Sequence, residues 1–172
     1  MQTNDRLITE LMTAISNGRI QLPDFQRGWV WEDGRIKALI ASIINNYPVG
    51  AAMFLEYGNE NVRFKYRTIE GAEQAGDTVP AELILDGQQR LTTNYKAYTD
   101  SEDFRNIVLD LIKGRFVLVE GAIERYQIPV GKLLNKEDSV FYSYVMNSKY
   151  LRKENVLPVL LQCRTKIRNN SY

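Results

Sequence analysis

The apolar positions of this chain gather into stretches of helical spacing separated by short, strand-like runs. Leu7, Ile8, Leu11, Met12 and Ile15 recur at helical spacing, with Asn4 or Asp5 as the cap and Asn17-Gly18 as the stop. Ile20-Gln21-Leu22 before Pro23 predicts a strand. A polar and aromatic connection, Pro23-Asp24-Phe25-Gln26-Arg27-Gly28-Trp29-Val30-Trp31, follows it, and Glu32 and Asp33 place negative charge at the next helix start, where it suits the dipole. That helix has the clearest pattern: Ile36, Leu39, Ile40, Ile43, Ile44 and Tyr47 form one apolar stripe. Tyr47-Pro48-Val49-Gly50 ends it, because proline cannot continue the ladder.

Strands are expected at residues 52–57 and 62–66, around a turn at Gly58-Asn59-Glu60-Asn61. Residues 70–80 are polar and glycine-bearing, hence a loop. Residues 82–86 predict a buried strand and 88–98 a helix with Leu91, Tyr95 and Tyr98 inward. After Asp100 the organisation changes. Residues 107–112 and 115–119 flank Lys113-Gly114 as a tight hairpin, 126–130 adds a short strand, and 136–167 reads as helical with a break near Pro158. The whole is α+β: a core at residues 1–100, then a hairpin and mostly helical annex at 101–172. The ending at Arg168-Asn169-Asn170-Ser171-Tyr172 shows no closing element, so the chain is expected to be a piece of a longer protein.

Composition narrows the chemistry chiefly by what is missing. The 172 residues contain no histidine, which removes Ser-His-Asp catalysis, HNH-type nuclease chemistry and histidine-held metals together. Cys163 is the only cysteine, so an intrachain disulfide and a cysteine zinc cluster are impossible, and a lone thiol suits the cytoplasm. No apolar run is long enough to span a membrane, and Met1-Gln2-Thr3-Asn4-Asp5 is no signal peptide. Twenty-two basic against twenty-one acidic residues give a net charge of +1, so any basic patch must be local. One such stretch is Lys149, Arg152, Lys153, Arg164, Lys166 and Arg168 against Glu154, either a solvated helix face or a phosphate-contacting or partner-docking one.

Chemistry concentrates at Ile84-Leu85-Asp86-Gly87-Gln88-Gln89-Arg90. An apolar strand delivers a carboxylate to its carboxyl end, Gly87 permits a turn closed to bulkier residues, and the amides of Gln88 and Gln89 fall in the unpaired first helical turn. With the helix dipole and the Arg90 guanidinium this makes an anion-binding start, with the Thr92 and Thr93 hydroxyls nearby. The rival reading makes Asp86 a helix cap and Arg90 its surface ion-pair partner. Two consecutive glutamines, suited to orienting water or reading a polar ligand, weigh against it. In Phe25-Gln26-Arg27 with Trp29 and Trp31, the tryptophans are expected to be structural, with Arg27 packed over one of them or free to contact phosphate. Gln26 and Arg27 are assigned to function. Asp24 is a weaker second carboxylate.

At these residues the chain resembles a known family. Leu22-Pro23-Asp24-Phe25-Gln26-Arg27-Gly28-Trp29-Val30-Trp31, Ser42-Ile43-Ile44-Asn45-Asn46-Tyr47-Pro48-Val49-Gly50 and the run from Ile84 to Thr93 match, in order, three motifs of the N-terminal domain of GmrSD-type, modification-dependent (type IV) restriction systems and related phage-defence proteins. That family is similar in fold to the ParB/sulfiredoxin superfamily, which implies a small mixed sheet with flanking helices. The resemblance implies a nucleoside-triphosphate site (GTP, UTP and ATP not distinguished) with Mg²⁺, and hydrolysis linked to restriction of modified DNA. It assigns catalysis to Asp86, Gln89 and Arg90, nucleotide contact to Gln26, Arg27, Gly87, Gln88 and Arg90, and a metal ligand to Asp86. Sulfiredoxins carry a cysteine in the equivalent turn. Gln88 and Gln89 stand there in this chain, so thiol redox chemistry is not implied. An HNH nuclease must lie in another domain or subunit.

Three functions remain open from the residues. In the first, Arg90 and the Gln88 and Gln89 amides hold phosphates, Arg27 stabilises the transferring phosphoryl group, and Asp86 binds Mg²⁺ or orients water. In the second, the same cationic turn holds DNA backbone without catalysis. In the third, the domain only positions a nuclease partner. The expected partners are DNA and an HNH nuclease domain or subunit, with a homodimer left open.

Overall fold

The computed structural model describes residues 5–45, 47–58 and 63–170, and within them the α+β organisation is present as six α-helices and two small sheets. Helix α1 (Ile8–Ser16) buries Ile8, Leu11, Met12 and Ile15. Asp5 does not cap it. Instead Glu10 reaches back to accept from the Leu7 amide at 3.3 Å, while Asn4 lies outside the described residues. Gly18 at φ 71 turns the chain into strand β1 (Ile20–Pro23).

Helix α2 (Asp33–Ile44) buries Ile36, Leu39, Ile40 and Ile43. Its stripe stops there: Tyr47 lies beyond the helix and is exposed, because Pro48 has already redirected the chain. Strand β2 (Met53–Glu56) follows, and β3 is only Tyr66–Arg67, shorter than its apolar run suggests. The expected turn at residues 59–61 and the first residue of the 62–66 strand lie outside the described residues. The strands on either side of that turn do not pair with each other. Segment 70–80 contains a short 3₁₀ turn at Glu73–Ala75 and buries Ala72 and Ala75, so it is a packed loop.

Strand β4 (Glu82–Asp86) completes a mixed sheet of order β2-β4-β1-β3. β1 and β4 run parallel, with Ile20 opposite Glu82 and Gln21 opposite Leu83, while β2 and β3 add antiparallel edges. The parallel pair matters most for function. Both strands end at the same edge, so the segments following them emerge side by side. Helix α3 (Gln88–Tyr98) leaves from that edge, with Leu91 and Tyr95 fully buried and Tyr98 half-buried.

The second sheet, of order β6-β5-β7, comprises β5 (Ile107–Asp110), β6 (Arg115–Leu118) and β7 (Gln127–Pro129). Asp110 pairs with Arg115, so the hairpin loop runs through Leu111, Ile112, Lys113 and Gly114 and is longer than a two-residue turn. The buried Asp110 carboxylate explains why. It accepts from the amides of Ile112 (3.1 Å) and Lys113 (2.9 Å) and from Gln127 Nε2 (2.9 Å), tying the loop to β7. Burial pushes this carboxyl up, yet those donors outweigh it and hold it below the ordinary carboxylate range.

Helices α4 (Val130–Leu134), α5 (Asp138–Met146) and α6 (Leu157–Arg168) complete the fold. Pro158 opens α6 rather than breaking a longer helix, since a proline in the first turn loses no hydrogen bond. Helix α6 packs on α1, α2 and α4, and one apolar core draws residues from both halves of the chain, from Ile8 to Ile167. The Ile8 amide donates to the Asn170 carbonyl at 2.9 Å, which joins the start of α1 to the end of α6. Among the described residues no helix is long and apolar enough to cross a membrane.

The tail cations Arg164 and Arg168 are structural rather than free. Buried Arg164 donates to the carbonyls of Leu133 and Asn135 and to Asp138 Oδ1, each at 2.7 Å, and Arg168 joins it on Asp138 at 2.8 Å. Arg164→Leu is therefore expected to lose roughly 2–4 kcal/mol in urea unfolding, because the Leu133 carbonyl loses its buried donor and the Asn135 carbonyl keeps only a 3.5 Å contact to Arg168. The Arg164 hydrogen bond holds the Asp138 carboxyl below its ordinary value despite desolvation, with Arg168 assisting. A depressed native pKa contributes stability above the unfolded value and loses it as pH falls through the native one. The urea midpoint should thus drop from about pH 4 downward, and Asp138→Asn should flatten that drop.

Candidate functional site

The two motif segments that leave the parallel strands are laced together by side-chain amides. Gln26, just past β1, donates from Nε2 to the carbonyls of Ile84 (2.6 Å) and Leu85 (3.2 Å) on β4. In return, Gln88 donates to the Arg27 carbonyl at 2.5 Å. Gln89 uses both ends of its amide, donating to the Gly28 carbonyl at 3.0 Å and accepting from the Val30 amide at 2.9 Å. Gln88 and Gln89 thus satisfy backbone groups of a loop that has no strand partner, while Gln26 ties that loop to the carbonyl end of β4.

Arg90 braces the other side. Its Nη1 donates to Val49 O at 2.9 Å and Nη2 to Ala51 O at 2.6 Å, the two carbonyls flanking Gly50. Asp86 Oδ2 is 3.5 Å away, a looser contact. Gly50 sits at φ 85, and a Cβ there would collide with Arg90 Nη1. The Tyr47-Pro48-Val49-Gly50 segment is therefore more than a helix stop: it docks the arginine. Gly87 at φ 88 has a similar constraint, since an added Cβ would lie 3.1 Å from Ala52 Cβ.

Further support comes from residues not singled out in the sequence. Arg67 Nη2 donates to the carbonyls of Gln26 and Arg27, both at 3.1 Å. Glu70 Oε1 accepts from the Trp29 amide at 3.0 Å and from Arg67 Nη1 at 3.3 Å, while its Oε2 is buried without a partner. The opposite charges at positions 67 and 70 were the available signal, but that spacing is common on any surface. Trp29 donates from Nε1 to Thr93 Oγ1 at 3.0 Å, and the cation over its ring is Lys96, not Arg27. Thr92 and Thr93 are fully buried on the core side of α3 and offer the turn no hydroxyl.

What this bracing leaves open is a cleft of about 560 Å³ between Phe25–Arg27 with Trp31 and the turn Leu85–Arg90. Its ionic groups are the exposed Arg27 side chain, the exposed Asp86 carboxylate and the partly buried Arg90 guanidinium. The first turn of α3 opens into it. Gly87 is the N-cap and Asp86 makes no cap hydrogen bond, so the capping reading of Asp86 does not hold. All the expected site residues (Gln26, Arg27, Asp86, Gly87, Gln88, Gln89 and Arg90) line this one cleft, whereas Asp24 is exposed outside it. Among the described residues no three metal-ligating side chains cluster. Asp86 alone can give a cation one protein ligand, which fits Mg²⁺ carried in by a phosphate ligand and not a preformed cage.

Gly50→Ala should lower stability by about 1–3 kcal/mol, from left-handed backbone strain compounded by displacement of Arg90. Urea unfolding measures this loss.

The model of the GmrSD restriction endonuclease N-terminal domain matches residues 8–169 of the chain. An uncharacterized protein of Methanocaldococcus jannaschii, MJ0686, is 33% identical over 150 residues, covering 77% of this chain and 25% of that protein. The chain thus spans about a quarter of the length of that relative. With the match running from α1 to the last turn of α6, the chain belongs to the GmrSD restriction endonuclease N-terminal domain family.

Proposed function

We propose that the cleft between the Phe25–Arg27 segment and the Asp86–Arg90 turn binds a nucleoside triphosphate with Mg²⁺ and hydrolyses it. The domain would thereby assist DNA cleavage by a modification-dependent restriction or phage-defence protein whose nuclease lies in another domain or subunit. The observation that carries this reading is one cleft bounded by a helix start, two arginines and a solvent-facing carboxylate.

The bracing refines the residue roles. The backbone amides of the first turn of α3 cradle phosphate oxygens, favoured by the dipole. Arg27, with its side chain exposed while its carbonyl is held by Gln88 and Arg67, meets the charge that builds on the transferring phosphoryl group. Asp86 orients the attacking water and can hold Mg²⁺, whose charge would offset that of the phosphates. Gln26, Gln88, Gln89 and Arg90 shape the walls, so their catalytic contribution is the spacing between Arg27 and Asp86. Phosphoryl transfer depends mainly on such placement. A non-catalytic site for DNA phosphate would use the same cations but release no orthophosphate.

Orthophosphate release and nucleotide binding, measured with GTP, UTP and ATP, test the proposal. Arg27→Ala should weaken triphosphate binding about tenfold or more, as expected for one lost charge-assisted contact. Asp86→Asn should keep binding and reduce turnover by at least about 100-fold, the scale of losing one positioning group. Unchanged release in both variants, or no triphosphate binding by the wild type, would sink it.

A further inference from the structure

A concavity larger than this cleft lies elsewhere, in the C-terminal half. It measures about 850 Å³ and is walled by the segment entering β7, by α4, and by the outward face of α5 with the turn after it. Its polar groups are nearly all donors. Arg125, Lys132 and Lys149 come from three separate elements, and Ser139, Ser143 and Tyr144 line the α5 face between them. Asn147 adds an amide, and Glu124 is the one carboxylate in the wall. Burial pushes the Tyr144 phenol up, so it stays a neutral O–H donor.

Two observations separate this cavity from an ordinary solvated surface. The Arg125 and Lys149 side chains have neither an ion pair nor a hydrogen bond among the described residues, although the chain has nearly as many acids as bases. Arg164 and Arg168, from the same basic tail, are consumed by Asp138. The position of the third cation is built. Lys132 pairs with Asp100, which sits at φ 57 and packs so tightly on Gly131 that a Cβ there would collide with it. Asp100 is the one described non-glycine residue at positive φ, a conformation that costs energy and is held here by this junction.

We infer that this trough is a second anion site, and that its ligand is the phosphodiester backbone of duplex DNA. Unpaired cations with serine, tyrosine and asparagine donors are the side-chain set that contacts nucleic-acid phosphates. The trough is open, with Arg125, Ser139, Ser143 and Lys149 all exposed, whereas a small ligand is usually held by enclosure. A polymer backbone laid across the trough needs no enclosure. The two sites are distinct in the fold. The nucleotide cleft opens at the first turn of α3, while Asp100 carries the Lys132 wall just past its last turn, and the 11-residue helix sets them roughly 16 Å apart.

The experiment is binding of a fluorescent duplex oligonucleotide to the 172-residue chain across a salt series, read by anisotropy, with triphosphate binding measured in parallel. Arg125→Ala with Lys149→Ala, both exposed substitutions, should weaken DNA binding at least about tenfold at low salt and reduce the slope of log K against log salt by about 2. Triphosphate affinity should not change. DNA binding unaltered by the pair, or absent in the wild type, overturns the inference. So does loss of DNA binding in Arg27→Ala alone, which would put DNA on the nucleotide cleft. If inorganic phosphate binds stoichiometrically and is lost in the double variant while DNA binding persists, the trough is a small-anion site and the inference also fails. Failure of triphosphate binding would leave each of these DNA outcomes readable.

Discussion

Parallel pairing of β1 with β4 is the constraint on which the site depends. Two strands that are 62 residues apart by their paired positions Ile20 and Glu82 leave the sheet at one edge. Had they paired antiparallel, the Phe25–Arg27 segment and the Asp86–Arg90 turn would emerge at opposite ends. A parallel pair requires a long crossover, and here α2 and β2 are inside it. The antiparallel edges β2 and β3 cover the flanks of that pair, and the residue just before β2 is Ala52, against which Gly87 must pass closely.

The connection after β1 has no ladder of its own, and its backbone polar groups must be satisfied by other means. Glutamine does this well, offering both a donor and an acceptor on a short, neutral chain. Gln26 and Gln88 act as donors in opposite directions across the gap, and Gln89 supplies both functions. Arg67 extends the lacing from one nitrogen shared between two carbonyls, and Arg90 spans two more with its planar fork, which lysine cannot reproduce. The motif is thus first a device for rigidity. The exposed side chains of Arg27 and Asp86 and the first turn of α3 are what the cleft presents, and the bracing keeps their spacing from drifting.

The C-terminal half repeats this economy with charge. Asp110, Arg164 and Asp138 are each fixed by several hydrogen bonds, and they organise a hairpin loop and the α4–α5 connection. Lys132 and Asp100 lock α4 to the end of α3, so one helix links the cleft at the Asp86–Arg90 turn to the trough. These ties, with the shared apolar core, make the later helices part of the same packed body as the sheet.

Much of the framework was legible in the sequence because it is local. Helical spacing located α1, α2 and α3, Gly87 announced a turn that only glycine accommodates, and absent histidines excluded whole chemistries before any coordinates. The three motifs named the family and the stretch that forms the cleft. What remained hidden is long-range. That Gln89 meets Gly28 and Val30, that Arg90 reaches Val49 and Ala51, that Thr92 and Thr93 turn inward, and that Arg164 is buried while Lys149 is exposed all depend on which surfaces meet. A residue's type states what bonds it can make. Only the tertiary structure decides which partner stands within reach, because hydrogen bonding falls off within about an ångström of its ideal distance and sequence carries no distances between remote residues.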